Sequence, residues 1–358
     1  MTSQIAMTGV EQDGLRMPVI DFGAFRTGDP QQRQQVADQV VEAFKNSGFL
    51  YLKNHGIPKD QVQTVFRTSA KFFERPQAEK DELAWTTPRS NRGYVTSGRE
   101  KVTHSNDPEE VAKQRASNPD LKESMEIGRE GVEGMPNQWP DRFGDEDGIT
   151  FTKLMKQFFL TCKDLHVNVM RAIAVGMGLE EQFFDTFTDG GDNNLRLLHY
   201  PPVRKSVFLD KPDQVRAGEH SDYGSITLLF QDNVGGLEVK SPRGTWVRAT
   251  PIPDTIVINA GDLLSRWSNE TIKSTNHRVI QPPPKDGEME DADNPNACFS
   301  ARYSIAYFSA RYSIAYFCNP NFDTLIEALP GTFENEAAKK YAAVNSGDYL
   351  EMRLAATY

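Results

Sequence analysis

One stretch of the chain decides the fold, and it reads Gly218-Glu-His-Ser-Asp-Tyr-Gly-Ser-Ile-Thr-Leu-Leu-Phe-Gln231. His220 and Asp222 lie two residues apart, and side chains with that spacing on an extended chain point to the same side. The pair Tyr223-Gly224 predicts a turn, and the run from Ser225 to Phe230 predicts a strand. Both donor side chains can therefore reach one metal ion.

A second imidazole comes from farther along the chain. His277 begins another β-prone run, His277-Arg-Val-Ile280, which can bring it beside the first pair. Two histidines and one carboxylate form a facial triad that leaves coordination positions open, which suits Fe(II). An isolated His-x-Asp pair is more often a surface turn, and zinc also accepts such donors. The residues thus predict a metal site at His220, Asp222 and His277, with iron as the favoured ion.

The sequence pattern of the C-terminal half is typical of a β-structure. After Asn193, short β-prone runs alternate with turns, and this spacing predicts a sandwich or barrel. The runs are LRLLHY, SITLLFQ, LEVK, TWVRA, TIVINA, HRVI and RYSIAYF. Residues 30–46 and 149–187 instead carry apolar side chains at helical spacing. We therefore expect a mainly β fold in which a helical N-terminal half supports a C-terminal β-core.

Composition and charge narrow the classes of function. The chain has 358 residues and a formal net charge of −10, which fits one large domain or two small ones. An acidic surface repels phosphate backbones and anionic lipids, so nucleic acid and membranes are poor candidates for partners. No secretory pattern or long apolar run is found, and the three cysteines are scattered. A small-molecule substrate and a cytoplasmic location fit best, and the oligomeric state is left open.

Longer strings around the donors resemble a known family, the isopenicillin-N-synthase-like Fe(II)/2-oxoglutarate dioxygenases. The resemblance to its metal-binding core lies in residues 218–231, Val234-Gly-Gly-Leu-Glu-Val239, Asn259-Ala-Gly-Asp262 and Ser274-Thr-Asn-His-Arg-Val279. Its N-terminal part resembles Pro18-Val-Ile-Asp21 and Gly48-Phe-Leu-Tyr-Leu-Lys-Asn-His-Gly-Ile-Pro58. The similarity extends over about residues 18–325. It implies a double-stranded β-helix, or jelly-roll, core with iron at its mouth.

The resemblance and the composition together divide the chain into four segments. Residues 1–16 are expected to form a disordered leader. Residues 17–148 are expected to form an N-terminal dioxygenase domain with lid-like loops in the irregular stretch 86–148. Residues 149–325 should supply helical support and the jelly-roll core, and residues 326–358 a C-terminal helical tail.

The resemblance also implies an activity. It points to an oxidoreductase that uses Fe(II), 2-oxoglutarate and O2 to oxidise an unactivated C–H bond of a small organic molecule. Hydroxylation is the expected outcome, for example in secondary metabolism. Two alternatives stay open: an isopenicillin-N-synthase-type oxidase that needs no 2-oxoglutarate, and a catalytically silent ligand-binding protein on the same fold. Release of succinate distinguishes the first interpretation from the oxidase, and an absence of any O2 consumption would support the silent protein.

In this family an Arg-x-Ser pattern on a strand after the second histidine anchors the far carboxylate of 2-oxoglutarate. Arginine suits the task because its planar fork binds a carboxylate through two hydrogen bonds. This chain contains the pattern twice, because Ser300–Phe308, SARYSIAYF, is repeated letter for letter as Ser309–Phe317. The two candidate anchors are Arg302 with Ser304 and Arg311 with Ser313.

Strand parity lets only one copy serve in a straight strand. Arg302 and Arg311 lie nine residues apart, and an odd offset turns them to opposite faces. The downstream string Cys318-Asn-Pro-Asn-Phe322 matches the segment that comes after this strand in relatives. The proline-rich loop upstream can absorb extra residues at little cost. We therefore expect Arg311 and Ser313 to serve, with the Arg302 copy as the alternative.

Other side chains are candidates for smaller roles. Tyr200 matches a family tyrosine that hydrogen-bonds the cosubstrate near the metal, although a buried strand tyrosine would look the same. Arg92, Tyr94 and Phe299 are candidates for substrate contact, against the alternative that they pin a loop or fill the core. The histidines not assigned to the metal are His55, His104, His166 and His199.

Overall fold

A computed structural model gives the fold, and it describes residues 9–100, 119–203, 207, 214–281 and 311–357. The helices are α1 (Gly23–Thr27), α2 (Pro30–Asn46), α3 (Lys59–Phe73), α4 (Gln77–Glu82), α5 (Glu146–Gly176), α6 (Asp185–Thr188), α7 (Asp262–Trp267) and α8 (Ser346–Thr357), with 3-10 turns at Pro140–Phe143 and Glu336–Ala338. The strands are β1 (Val10–Gln12), β2 (Leu15–Met17), β3 (Val19–Asp21), β4 (Phe49–Lys53), β5 (Gly93–Val95), β6 (Glu123–Gly128), β7 (Asn194–Tyr200), β8 (Ala217–His220), β9 (Ile226–Gln231), β10 (Leu237–Lys240), β11 (Trp246–Arg248), β12 (Thr255–Ala260), β13 (His277–Val279), β14 (Arg311–Cys318), β15 (Leu325–Ile326) and β16 (Val344–Asn345).

Two sheets form the core. The larger has eight strands in the order β3-β4-β12-β9-β14-β7-β6-β5, and the smaller has four in the order β11-β10-β13-β8. Their apolar side chains pack into one cluster, with Leu198 and Val257 from the larger sheet and Val239 and Val279 from the smaller. Facing sheets that bury their inner sides in this way form the expected jelly-roll core.

Helices cover the other face of the larger sheet. The 31-residue helix α5 begins at Glu146 and is capped by Asp145, whose side chain accepts a hydrogen bond from the Gly148 amide at 2.7 Å. Its buried stripe includes Phe151 and Phe158 and packs in one cluster with Leu228 and other outward side chains of the sheet. Among the residues that the structure describes, none of the helices has the length and apolar character needed to cross a bilayer.

The start of the chain corrects one expectation. Residues 1–8 lie outside the described part, but residues 10–17 form the antiparallel hairpin β1–β2 instead of a disordered leader. Asp13 and Gly14 make its turn with φ of 52° and 79°, the two positive values that an Asp-Gly turn provides. Leu15 and Met17 are buried against the core, which fixes the hairpin in place.

The stretch 86–148 is also more regular than expected. It contributes β5 and β6 to the larger sheet, where β6 pairs with β7 from Glu123 opposite His199 to Gly128 opposite Asn194. All six residues of β6 are buried, although two of them are glutamates. Buried charges of this kind do not follow the apolar pattern of a core strand, so the sequence pattern predicted a loop. Because β3 to β6 join the same sheet as the later strands, the domain boundary near residue 148 stays a prediction.

The C-terminal segment is only partly the predicted helical tail. The short strands β15 and β16 pair with each other before the chain enters α8. Two-residue strands carry too little periodicity to be recognised in a sequence. Helix α8 is the part of the tail that bears on the active site.

Candidate active site

The three predicted metal donors come together at the mouth of the smaller sheet. His220 ends β8, His277 begins β13, and the two face each other in the antiparallel ladder. Asp222 Oδ1 lies 3.9 Å from His220 Nε2 and 3.6 Å from His277 Nε2. One donor atom from each residue lies within 4.8 Å of the others. This spacing lets a single ion contact all three.

Hydrogen bonds hold each donor in the orientation that a metal requires. His220 Nδ1 donates to the Gly218 carbonyl at 2.7 Å, and His277 Nδ1 donates to the Thr275 carbonyl at 3.2 Å. Such bonds fix the tautomer that keeps Nε2 as a lone-pair donor. Asp222 Oδ2 accepts from Thr227 Oγ1 at 2.5 Å and from Asn259 Nδ2 at 2.7 Å, so its Oδ1 faces the two imidazoles.

The protonation states also suit a metal. Burial, and then the neighbouring His277, lower the pKa of His220 to about 3. Burial alone would raise the pKa of Asp222, but the two imidazoles and the bonds to Asn259 and Thr227 outweigh it and lower the pKa. At neutral pH the site therefore presents a neutral imidazole at His220 and a carboxylate at Asp222, which are the forms that bind a divalent cation.

The second copy of Arg-x-Ser lies on β14, in the centre of the larger sheet. Arg311 faces Tyr200 across the ladder, and its guanidinium lies 4.9 Å from the centre of the Tyr200 ring. The side chains of Arg311 and Ser313 are both 1% exposed. Arg311 Nε and Nη1 and Ser313 Oγ have no hydrogen-bond partner among the residues that the structure describes. Buried donors without partners are costly, and a carboxylate would satisfy all three, so these residues fit 2-oxoglutarate.

Four residues considered in the sequence fall in segments that the structure does not describe. Arg302, Ser304 and Phe299 lie outside the described residues, as does His104. The choice between the two anchors therefore stays a prediction.

One face of the β14–β7 ladder connects the anchor to a cavity. Directly opposite residues of an antiparallel pair share a face, and the pairs after Arg311 and Tyr200 are Ser313 with Leu198, Ala315 with Arg196 and Phe317 with Asn194. Phe317, Arg196 and Asn194 all line the cavity, and so do His220 and Asp222. The cosubstrate anchor and the cavity thus occupy opposite ends of one strand face.

The cavity measures about 1120 Å³ including its open mouth. Its walls combine aromatic rings, amides and a buried cation. They include Asn194, Arg196, Tyr223, Phe317, Asn319, Leu350, Glu351, Leu354 and Thr357. A concave site with apolar walls and a few convergent polar groups is the usual form of a small-molecule pocket.

Arg196 is held in the cavity wall by a buried network of charges. Its Nε lies 2.8 Å from Glu126 Oε1 and its Nη1 donates to Glu100 Oε1 at 3.1 Å. Glu100 in turn pairs with Lys122 at 3.1 Å. Burial by itself raises the pKa of Glu100, but Lys122 and Arg196 outweigh it and bring the pKa to about 2. The Arg196 guanidinium is therefore fixed, and it lies 5.2 Å from the centre of the Phe317 ring.

The two remaining substrate candidates have different positions. Arg92 lines the cavity, is 4% exposed and donates from Nη1 to the Ser90 carbonyl at 2.6 Å. Gly128 makes room for it, since a Cβ there would lie 1.8 Å from Arg92 Cζ. Tyr94 instead lies in the hydrophobic core, where its hydroxyl bonds to Glu123. Its expected contact with substrate is corrected, because Tyr94 alternates to the face of β5 that packs on the helices.

Among the described residues, the unassigned histidines do not belong to the cluster of metal donors. His199 bonds to Glu123 at 2.6 Å and stacks on Tyr312. His55 accepts from the Ile57 amide at 3.3 Å. These contacts are those of packing and turn residues.

Three residues of the cavity were not predicted from the sequence: Arg196, Tyr223 and Phe317. A signal for two of them was present, because Arg196 lies four residues before Tyr200 and Phe317 six residues after Arg311. Even offsets on a strand keep one face, so both could have been placed on the active-site side. Tyr223 directly follows a metal donor and was interpreted only as part of a turn.

Comparison with known proteins covers nearly the whole chain. Residues 17–142 match the model described as non-haem dioxygenase in morphine synthesis N-terminal, and residues 191–320 match the 2OG-Fe(II) oxygenase superfamily. A 2-oxoglutarate-Fe(II) type oxidoreductase of Metarhizium rileyi is 32% identical over 348 residues, which cover 96% of this chain and 92% of the relative.

Among solved structures, a full-length Neurospora crassa protein in complex with alpha-KG (2-oxoglutarate) has 52% identity and a TM-score of 0.85, covering 98% of this chain and 99% of that one. The same protein in complex with alpha-KG and thymine has 53% identity with the same coverage and TM-score. In complex with alpha-KG and 5-formyluracil it has 50% identity and a TM-score of 0.83, covering 97% of this chain and 98% of that one. The chain therefore belongs to the 2-oxoglutarate-Fe(II) oxygenase superfamily, within its isopenicillin-N-synthase-like family, and is a dioxygenase that depends on Fe(II) and 2-oxoglutarate.

Proposed function

We propose that this dioxygenase hydroxylates the methyl group of a pyrimidine base such as thymine. In this proposal His220, Asp222 and His277 hold the ferrous ion, and Arg311 and Ser313 hold the far carboxylate of 2-oxoglutarate. When bound, the metal and its cosubstrate supply the oxidising power from O2, while 2-oxoglutarate is converted to succinate and CO2. The protein binds and orients the two small molecules and keeps water from the reacting carbon.

The donor geometry supports the first half of the proposal. Each histidine of the triad donates its Nδ1 hydrogen to a backbone carbonyl, which is how metal-binding imidazoles are commonly oriented. The unpaired donors of Arg311 and Ser313 lie together on one strand face. The Tyr200 ring lies against the Arg311 guanidinium and is buried beside the anchor.

The observation that carries the substrate proposal is the fixed Arg196 guanidinium beside the Phe317 ring, in the cavity that His220 and Asp222 also line. Phe317 and Tyr223 are both half-buried and line the same cavity. Aromatic walls suit a flat ring that stacks on them, and a guanidinium suits the carbonyl oxygens at the edge of such a ring. A pyrimidine base offers both features.

Two amide oxygens offer a complement for the N–H groups of a base. Asn194 Nδ2 donates to the Asn91 carbonyl at 3.1 Å, and Asn319 Nδ2 donates to the Asp192 carbonyl at 2.8 Å. These bonds orient both amides, while Asn194 Oδ1 and Asn319 Oδ1 have no partner among the described residues. A site with acceptors waiting for N–H groups rejects ligands that lack them.

The relatives support the same substrate class. The Neurospora crassa protein, which is about half identical to this chain, is solved with thymine and with 5-formyluracil. The sp3 C–H bonds of thymine are all on its methyl group, so that carbon is the expected site of oxidation. We also propose that the enzyme acts on this small molecule in the cytoplasm, which the sparse, scattered cysteines support.

Two measurements test the proposal. Without oxygen, Fe(II) and 2-oxoglutarate should together produce a weak visible charge-transfer band, because the keto acid chelates the ferrous ion through two oxygens. With oxygen, thymine should stimulate succinate release and yield its hydroxymethyl product in equal amounts. Uracil is the matched ligand, since it keeps the ring but lacks the methyl group, and it should compete with thymine without being hydroxylated. Succinate release that thymine leaves unchanged would sink the substrate assignment and leave the enzyme class intact.

A further inference from the structure

Helix α8 forms part of the cavity wall. Leu350, Glu351, Leu354 and Thr357 line the cavity from this helix, although they lie more than 120 residues after the metal donors His220 and Asp222. The sequence predicted only a helical tail here. The helix therefore approaches the active site from a part of the chain that carries no recognised motif.

Two side chains of α8 hold Tyr223. The Arg353 guanidinium lies 4.4 Å from the centre of the Tyr223 ring, which is cation–π distance. The Tyr223 hydroxyl lies 2.9 Å from Thr357 Oγ1, within hydrogen-bond range. The ring is thus fixed at its face and at its tip from the side of the helix, while the same residue lines the cavity.

Arg353 is itself tied to the body of the protein at Asp262. Its Nη1 lies 3.3 Å from Asp262 Oδ2, which also accepts from the Tyr349 hydroxyl at 3.0 Å. The Asp262 amide donates to the Asp222 carbonyl at 2.8 Å. Asp262 therefore connects the helix to the loop that carries a metal donor, and it fixes the distance between Arg353 and Tyr223.

We infer that Arg353 and Thr357 are positioning residues for substrate recognition: they hold the Tyr223 ring as a wall of the cavity, and helix α8 is a working part of the substrate site. The inference rests on the proposed function for the choice of thymine as the probe. A helix that only stabilises the fold would instead make every affinity and the unfolding temperature change together.

Arg266 offers a matched control. Its guanidinium lies 4.3 Å from the Tyr341 ring and 5.7 Å from the ring of Tyr349, which belongs to α8. It does not line the cavity. Arg266→Gln therefore removes the same charge and the same kind of contact near α8 without releasing Tyr223.

The test compares Arg353→Gln with Arg266→Gln in the full-length enzyme loaded with Fe(II) and 2-oxoglutarate. In Arg353→Gln we expect the half-saturating thymine concentration to rise about tenfold, which is roughly 1.4 kcal/mol, and more succinate to form than hydroxylated product. The half-saturating 2-oxoglutarate concentration should stay within twofold. Arg353→Lys should recover part of the thymine affinity, and Thr357→Val should weaken it severalfold. Arg266→Gln should resemble the wild type in all of these.

A second readout needs no substrate. Hydrogen exchange of the amides in residues 221–225 should be faster in Arg353→Gln than in Arg266→Gln, because the Tyr223 loop loses its support. If wild-type enzyme does not turn over thymine, the proposed substrate is wrong, and this exchange rate alone decides the inference. Unchanged protection of the loop, or an equal loss of thymine affinity in both variants, would overturn the inference. If Arg353→Gln does not fold, Arg353→Lys and Thr357→Val carry the same comparison.

Discussion

The inner face of β14 carries different kinds of side chain at its two ends. At one end Arg311 and Ser313 are almost fully buried and present polar atoms without partners among the described residues. At the other end Phe317 presents a half-buried ring beside the Arg196 guanidinium. The first end fits a ligand that carries a carboxylate at a fixed distance from its metal-binding end. The second end fits a flat ring, and the surrounding side chains determine which ring is bound.

The two ends also differ in how many parts of the chain build them. The cosubstrate end needs only β14 and the facing strand β7, so a three-residue pattern can specify it. The substrate end is assembled from β7, the loop after β8, β14 and helix α8. A site that depends on distant segments leaves no short pattern in the sequence, which is why Arg196, Tyr223 and Phe317 at the second end were not predicted, although Arg92 was.

The largest expected effect concerns the metal between the two ends. His220→Ala, Asp222→Ala and His277→Ala should each reduce turnover to background, because losing one of three protein donors sharply weakens a divalent site. Iron content and succinate release are the measurements, with circular dichroism as the check on folding. His55→Ala is the control, since His55 contacts the Ile57 amide and the Phe230 ring and is not grouped with the donors. Near-normal turnover in any of the three variants would remove that residue from the metal site.

The cosubstrate end is tested by Arg311→Ala. Loss of a charge-assisted, two-pronged contact in a dry pocket costs on the order of 2–5 kcal/mol, so the half-saturating 2-oxoglutarate concentration should rise roughly thirtyfold or more. Arg302→Ala is the matched control and should resemble the wild type. The opposite result would move the anchor to Arg302 and Ser304. It would also show that the strand register is set from the upstream side.

The substrate end is tested by Phe317→Ala. Stacking of a base on an aromatic side chain contributes about 1–3 kcal/mol, so the half-saturating thymine concentration should rise roughly tenfold while that of 2-oxoglutarate stays within twofold. Tyr312→Ala is the control, because Tyr312 lies on the opposite face of β14 and stacks on His199. If Phe317→Ala weakened both ligands equally, the two ends would not be separate sites.

The smallest effect is on stability and concerns the support beneath the substrate end. His166 Nε2 lies 3.3 Å from Ser225 Oγ, which donates to the Cys318 carbonyl at the end of β14. Burial, and then Lys163, lower the pKa of His166 from 6.5 to about 3. The folded protein keeps this ring neutral, whereas the unfolded chain takes up a proton below pH 6.5. Above pH 6.5 the neutral His166 does not lower the free energy of unfolding. As the pH falls from 6.5 toward 3, protonation of the unfolded chain progressively lowers it.

Urea unfolding of the metal-free protein measures this effect. Lowering the pH from 6.5 to 5.5 should reduce the free energy of unfolding by roughly 1 kcal/mol through His166. The same drop in pH should cost His166→Gln correspondingly less, since other histidines titrate equally in both proteins. An identical slope in the two proteins would show that His166 is not the group responsible.

Much of the fold and half of the site could be predicted from local spacing. The two-residue spacing of His220 and Asp222 placed both donors on one side, and the odd offset between the two arginines favoured Arg311. Apolar periodicity predicted helices over residues 30–46 and 149–187, and the structure has the long helix α5 end earlier, at Gly176. These features depend on neighbours along the chain, which is what a single sequence displays.

The remaining features depend on partners that are distant along the chain. Strand β6 was missed because its buried glutamates are compensated by Arg196 and Lys80, and a sequence does not display that pairing. Tyr223 gained a role only when α8 packed against it. The hairpin at Asp13-Gly14 is different, since its turn signal was present and was outweighed by the polar residues around it.

The separation of the two ends along β14 has a consequence for how this enzyme can change over evolutionary time. Arg311 and Phe317 are six residues apart, which is about 20 Å at roughly 3.3 Å per residue. A substitution that reshapes the wall around Phe317 leaves the pocket around Arg311 untouched. Selection for a new substrate can therefore proceed without a period in which the oxidising power is lost. The same partition suggests that a designer should randomise the Phe317 end and helix α8 first.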